Sequence, residues 1–207
     1  GPITVQSASP VLTLVASSEP DTAAAALAPG EVARYRMVVS LPEASAADSR
    51  LMPALPAGYR FLNDGTATLA FVANGGAGGI DSTTLSGAGL DKSGTGASAA
   101  AIAGIAPSFV LPAGAITNAA GAPLAAGAQP SGADPVFRLG DLSNTDSDSG
   151  DEFIVIEFNV VLDNEVANQA GNTRAVNFSY QSDALIRGTS NTVSATVVEP
   201  VIASLDK

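Results

Sequence analysis

The chain has 207 residues, of which 46% are hydrophobic but only 5% are aromatic, and it contains neither cysteine nor histidine. Its 20 acidic and 9 basic residues give a net charge of −11, which repels nucleic acid and anionic membranes and favours cations as electrostatic partners. The missing side chains exclude disulfides, thiolate catalysis and the Ser-His-Asp arrangement, so the composition indicates a protein that is not an enzyme.

Alternating apolar and polar residues predict β-strands along most of the chain. Strands are predicted over 31–41 and 67–71, where alternate residues form one apolar face. Residues 154–162 alternate as well, but their second face is partly apolar, so this strand is expected to lie at the centre of a sheet. The alternation over 176–181 and 193–197 predicts two further strands near the end of the chain.

Turn sequences rich in Gly, Pro and Asn separate the predicted strands. They lie at 28–30, 56–58, 63–65 and 170–172. Two alanine-rich stretches, 22–27 and 98–106, have Gly and Pro neighbours that limit each of them to one or two helical turns. Several short strands between turns are typical of two stacked sheets, so the predicted fold class is an all-β sandwich with at most short helices.

Residues 74–135 form a long insertion rich in Gly, Ala, Ser and Pro, with weak periodicity. One interpretation is a surface excursion with no function of its own. The other is an exposed tip that holds a ligand, because loops on a rigid scaffold commonly carry function. The apolar run from Phe109 to Leu111 predicts that at least one strand of this region returns to the core.

The densest group of polar residues lies between Asp141 and Glu152. Carboxylates that alternate with small residues let several oxygens converge on one hard cation, which is the coordination that calcium requires. The candidate calcium ligands are Asp141, Asn144, Asp146, Asp148, Asp151 and Glu152. The segment is not an EF-hand. Counted from Asn144 as the first position of the loop, Gly150 is at the seventh position and Val155 is at the twelfth, where an EF-hand has a bidentate Glu. A solvated acidic turn before a strand is the alternative interpretation.

The two ends of the chain resemble each other, which indicates a repeat. Pro10-Val11-Leu12 is echoed by Pro200-Val201-Ile202, so the two copies begin 190 residues apart. We therefore expect a tail of a preceding module or a linker at 1–9, a complete module at 10–199 and the start of the next module at 200–207. Chance similarity between two short apolar strands is the alternative.

Five segments carry a resemblance to a known family. They are 55–61, 63–72, 139–148, the strand that ends at Val161-Leu162, and 168–172. In this order they resemble the immunoglobulin-like conserved repeat of large bacterial surface proteins and adhesins, which is related to the isopeptide-forming domains of fimbrial proteins. The resemblance implies immunoglobulin-like β-sandwich modules in tandem on the bacterial exterior, where they act as stalks or adhesive surfaces.

The resemblance also bears on an internal crosslink. In fimbrial relatives a lysine on the first strand attacks an Asn or Asp side chain on a late strand, and a buried acid assists the proton transfer. The first strand here, 10–17, contains no lysine, so we expect no isopeptide within the module. Lys207 takes the place of Ser17 in the expected next module, and Asn177 or Asp183 are the acceptors that the late strands offer.

Three functional hypotheses follow. The first is a structural or adhesive extracellular module that calcium makes more rigid and whose partners are neighbouring modules of the same chain. The second is a ligand-binding adhesin head that recognises a glycan, a protein or another host or surface ligand through 74–135. The third is a unit of a surface-layer lattice. None of them involves catalytic residues, nucleic acid or membrane insertion.

Overall fold

A computed structural model describes residues 9–19, 25–74, 79–94, 102, 104–145 and 150–199. Within these ranges the strands form two sheets. The first sheet contains β1 (Val11–Ser17), β3 (Val32–Leu41), β5 (Tyr59–Asn63), β6 (Thr68–Asn74), β8 (Asp91–Gly94), β9 (Phe109–Val110), β11 (Gly127–Ala128) and β13 (Glu152–Leu162). The second contains β2 (Ala26–Leu27), β4 (Ala44–Ala54), β7 (Ile80–Ser82), β10 (Ile116–Thr117), β12 (Val136–Asn144), β14 (Thr173–Ser182), β15 (Leu185–Thr189) and β16 (Val193–Val197). The prediction of an all-β sandwich is confirmed.

Strand β13 is the centre of the first sheet, as its sequence predicts. It pairs antiparallel with β3 along one edge, and along the other edge it pairs with β6 and then with β5. Its core-facing residues are fully buried: Ile154, Ile156, Phe158, Val160 and Leu162 each have 0% exposure. Val155, on the other face, is equally buried, which explains why both faces of this strand are apolar.

Aromatic side chains fill the space between the two sheets. Phe158 stacks against Tyr35 with 6.0 Å between ring centroids, and it packs against Phe137 at 5.4 Å and Phe61 at 6.2 Å. The hydroxyls of Tyr35 and Tyr59 lie 3.2 Å apart and hydrogen-bond each other. Burial raises the pKa of both phenols, so each remains a neutral hydrogen-bonding group. Around these rings the core consists mostly of buried Leu, Ile, Val and Ala side chains.

The region 74–135 contributes to both sheets. Strand β8 pairs parallel with β6, β9 pairs antiparallel with β6, and β11 extends β5, whereas β7 and β10 pair with β12. The prediction that a strand at 109–111 returns to the core is confirmed, since Leu111 is 4% exposed. The region also carries a short 3-10 helix, Ala113–Ala115.

Three local predictions need correction or remain outside the described residues. Ala26 and Leu27, which end the first alanine-rich stretch, form a parallel strand with β16 instead of a helical turn. Most of the second stretch, 98–106, lies outside the described residues. The predicted turn 141–152 is shorter than expected, because β12 continues to Asn144 through its pairing with β4 and β7.

The described chain enters the sandwich near one end and leaves it at the opposite end. One end, called the acidic-turn end below, is where β12 stops at Asn144 and β13 starts at Glu152. Val11 of β1 pairs with Val38, three residues before β3 stops at that same end. Strand β16, like β1, runs away from the acidic-turn end, because it is antiparallel to β14, which is antiparallel to β4. Just after β16, the backbone amide of Val198 donates to the carbonyl of Leu27. The turn after Leu27 lies at the opposite end, since the Gly30 amide donates to the carbonyl of Leu162, the last residue of β13.

Candidate functional site

The acidic-turn end contains a buried pair that joins the two sheets. Asn144, the last residue of β12, and Glu152, the first residue of β13, are 3% and 1% exposed. Asn144 Nδ2 donates to Glu152 Oε2 at 2.6 Å and to the carbonyl of Leu41 at 3.0 Å. The second carboxylate oxygen, Glu152 Oε1, is buried without a hydrogen-bond partner in the described part of the chain.

The other predicted calcium ligands occupy different surroundings. Asp141 is exposed, and its carboxylate accepts a hydrogen bond of 2.9 Å from the backbone amide of Asp48 on β4. Asp151 is exposed beside Glu152. Asp146 and Asp148 lie outside the described residues. The structure therefore brings Asn144 and Glu152 together and places Asp141 in a separate contact with β4.

The orphan oxygen of Glu152 is the feature of this end that fits a cation. A buried polar atom without a partner destabilises the folded state, and carboxylate and amide oxygens are the ligands that calcium uses. Within the ranges that the structure describes, no three acidic side chains converge closely enough to hold a metal ion.

A buried ionic network, which the sequence does not predict as a site, lies on the outer face of the first sheet. Glu157 on β13 accepts from Arg36 Nε at 2.8 Å and Nη2 at 2.5 Å through one oxygen, and from Arg34 Nε at 2.7 Å through the other. Arg36 and Glu157 are 9% and 7% exposed. Arg36 Nη1 also donates to the carbonyl of Ile102, which belongs to a small apolar cluster over this face. The network holds that cluster on the sheet.

The same network continues to the loop before β6. Asn159 Nδ2 donates to Asp64 Oδ2 at 3.1 Å, and the backbone amide and hydroxyl of Thr66 donate to Asp64 Oδ1 at 2.9 and 2.5 Å. Partial burial raises the pKa of Asp64, but the hydrogen bonds from Thr66 and Asn159 outweigh it and leave that pKa below its ordinary value. Asp64 therefore stays ionised and fixes the turn that precedes β6.

Asn177 and Asp183, the candidate isopeptide acceptors, occupy different places near β14. Asn177 lies within β14, and the carboxylate of Asp183 accepts from Arg187 Nη2 at 2.9 Å in the turn between β14 and β15. Lys207 lies outside the described residues, and Lys92 is on β8 of the other sheet. The expectation that the module forms no isopeptide of its own stays a prediction.

No protein-family model and no curated protein matches this chain. Among solved structures, the N-terminal domain of a Streptococcus gordonii adhesin has a TM-score of 0.47 and 11% identity, with 92% of this chain and 32% of the adhesin chain covered. The pilus backbone protein RrgB of Streptococcus pneumoniae has a TM-score of 0.46 and 12% identity, with 86% and 32% covered. The major pilin SpaD of Corynebacterium diphtheriae has a TM-score of 0.40 and 11% identity, with 90% and 35% covered.

This chain spans about a third of the length of each of these three proteins, whose covered shares are 32%, 32% and 35%. At such identities the similarity concerns the fold alone and does not extend to what the proteins bind. The described residues include no helix with the length and apolar character that crossing a bilayer requires. These three solved structures are one domain of an adhesin and two pilus proteins of Gram-positive bacteria.

Proposed function

We propose that this chain is a structural or adhesive module of an extracellular, repetitive bacterial surface protein, with neighbouring modules as its principal partners. The proposal rests on the positions where the chain enters and leaves the sandwich, which lie towards opposite ends. A module that is entered towards one end and left at the other lengthens a stalk with each copy, whereas one with adjacent termini does not. The absence of histidine and cysteine from the whole sequence agrees with a role without catalysis.

Buried side-chain contacts at the exit end support a module that resists deformation there. Asn168 is 5% exposed, and its Nδ2 donates to the carbonyls of Gly58 and Asp163 at 2.9 and 2.6 Å. Its Oδ1 accepts from Arg174 Nε at 2.6 Å. One side chain thus connects the loop before β5, the loop after β13 and the start of β14. Fully satisfied buried polar groups of this kind give a unique and rigid arrangement.

The experiment compares the chain with a head-to-tail fusion of two copies of 10–199, measured by small-angle X-ray scattering. We expect the fusion to have a maximum dimension close to twice that of the single module. A fusion that is only slightly longer than one module, with the two sandwiches side by side, would refute the stalk geometry. A single copy preceded by an unfolded linker of equal mass is the control for the added chain.

We also propose that calcium makes the acidic-turn end more rigid, with Asn144, Glu152 and Asp151 joined by Asp146 and Asp148. The support is the buried oxygen Oε1 of Glu152, which has no hydrogen-bond partner among the described residues. A ligand that binds only the folded state stabilises it by mass action, by about 2.7 kcal/mol when its concentration is 100 times the dissociation constant.

Thermal unfolding with and without millimolar calcium tests this part. We expect calcium to raise the midpoint of the wild-type chain and to leave the midpoint of Glu152→Gln unchanged. Glu199→Gln, an exposed acid at the opposite end, is the matched control and should respond like the wild type. If the wild-type midpoint does not move in calcium, the metal part is wrong, and the structural role is unaffected.

A further inference from the structure

One side chain connects the first and last parts of the folded chain directly. Asn191, in the loop between β15 and β16, accepts a hydrogen bond from the backbone amide of Leu12 at 2.9 Å. Its Nδ2 donates to the carbonyl of the same residue at 3.0 Å. The amide group of Asn191 thus pairs with β1 in the way that a neighbouring strand would, on the edge of β1 that faces away from β3.

Asn191 is itself fixed to a central strand of the second sheet. The neighbouring Ser190 makes two hydrogen bonds with the backbone of Phe178 on β14. The Ser190 amide donates to the Phe178 carbonyl at 2.9 Å, and the Phe178 amide donates to the Ser190 hydroxyl at 3.0 Å. Phe178 is fully buried in the core. The contact between Asn191 and Leu12 therefore joins edge strand β1 of one sheet to the interior of the other.

Tension along the chain would act on this contact. Because the described chain enters towards the acidic-turn end and leaves at the opposite end, pulling the two termini apart draws β1 lengthwise along β3. The register from Val11 with Val38 to Ser17 with Ala33 means that the hydrogen bonds of this pair are loaded together, not opened one after another. The two Asn191 bonds lie on the same path, since β1 cannot slide without breaking them.

We propose that Asn191 is a mechanical clasp, a side chain that holds β1 in place under tension and so sets the force at which the module begins to unfold. This inference rests on the structural role proposed above and specifies which contact bears the force. Release of β1 is then the first event of forced unfolding, and forced unfolding is governed by the rate of that event rather than by equilibrium stability.

The test is single-molecule force spectroscopy of the full chain held by its two termini. We expect Asn191→Ala to lower the unfolding force clearly, and Asn191→Asp, which keeps only the acceptor for the Leu12 amide, to give an intermediate force. The matched control is Asn63→Ala, since Asn63 Nδ2 also makes two hydrogen bonds to backbone, with the carbonyls of Leu124 and Ala125. Asn63 is on β5, away from the force path, and its replacement should leave the unfolding force unchanged. Cooperative unfolding in urea confirms that each variant is folded.

A second pulling geometry separates force transmission from general stability. The chain has no cysteine, so Glu43→Cys with Val166→Cys provides two attachment points, both exposed, that do not load β1. In this geometry Asn191→Ala should unfold at the same force as the background variant. The clasp is overturned if the wild-type module resists a high force and the Asn191→Ala variant, pulled by its termini, unfolds at that same force. A wild-type module that is mechanically weak in both geometries instead counts against the structural role.

Discussion

Glu157 offers a direct test of whether the outer face of the first sheet depends on a buried charge. Replacing Glu157 with Gln keeps the size of the side chain but removes the negative charge that faces Arg34 and Arg36. The side chains of Arg36 and Glu157 are each 10% exposed, so water cannot solvate the guanidinium group of Arg36 that is left behind. Removal of one partner of a buried ion pair costs about 3–5 kcal/mol. Because the Arg34 side chain is 24% exposed and stays partly solvated, we expect the lower part of this range.

Urea denaturation measures this loss as a lower midpoint at an unchanged slope. The control is Asp183→Asn, which removes the partner of Arg187 in a pair whose side chains are 49% and 37% exposed. Solvent screens such a pair, so the control should lose only about 0.2–1 kcal/mol. If Glu157→Gln loses no more free energy of unfolding than Asp183→Asn, burial does not strengthen the network and the reasoning is refuted.

Three further substitutions test the core, the turns and the Asp64 contact. Phe158→Ala should cost about 3–5 kcal/mol in urea denaturation, because it opens a cavity among packed aromatic rings; a loss under 1 kcal/mol would mean that the core collapses around it. Gly58→Ala should lose more stability than Gly30→Ala. Both glycines have positive φ, of 98° and 91°, but only at Gly58 would the added Cβ meet the Asn168 side chain, at 2.4 Å. Equal losses of stability in the two variants would show that backbone strain, and not the contact with Asn168, sets the cost of the substitution. The lowered pKa of Asp64 contributes stability that is full above the ordinary value of 3.8 and is lost as pH falls through the folded value. The deficit of Asp64→Asn should therefore be largest at neutral pH and shrink in acid, and a deficit independent of pH would contradict this assignment.

The strands with regular alternation could be predicted from the sequence, because their side chains meet only two environments. In β3 the residues Ala33, Tyr35, Met37, Val39 and Leu41 are at most 3% exposed, as their spacing indicates. The core-facing residues of β13, from Ile154 to Leu162, have the same spacing, although Val155 and Glu157 on its other face are buried as well. A period of two is therefore enough to identify the core face of both strands, but it does not show whether the other face is covered.

Strand β4 was not predicted, because its core face does not consist of large apolar residues. Ser49 is fully buried there, and its hydroxyl donates to the carbonyl of Ala46 at 2.9 Å and lies 3.2 Å from the Tyr180 hydroxyl. The partner that makes a buried serine acceptable comes from β14, 131 residues away in the chain. No local pattern carries that information, so the run reads as polar loop.

The candidate site was predicted in part for a related reason. The acidic composition of 141–152 identifies the segment, but it does not show where β12 ends. The pairing of Asn144 with Ala44 and Ile80, from two distant strands, extends β12 and buries Asn144 against Glu152. In the sequence pattern, Glu157 is one of the polar residues opposite the apolar face of β13, a position that predicts exposure. Its burial depends on Ile102, which reaches this face from outside any strand of the sheet.

The structure also changes how a ligand-binding role for 74–135 has to be tested. Deletion of this region would remove Ile80, Leu85, Leu90, Leu111 and Ile116, each at most 4% exposed, so a deletion variant would lose core residues together with any binding surface. Loss of binding in that variant would say nothing about recognition. Substitutions at exposed positions separate the two effects: Val110, 54% exposed at the edge of β9, is a suitable site. If Val110→Asp unfolds like the wild type in urea but loses binding to an arrayed glycan or matrix protein, the region recognises a ligand. If the wild type and Val110→Asp bind a ligand equally well, the surface around Val110 does not take part in recognition.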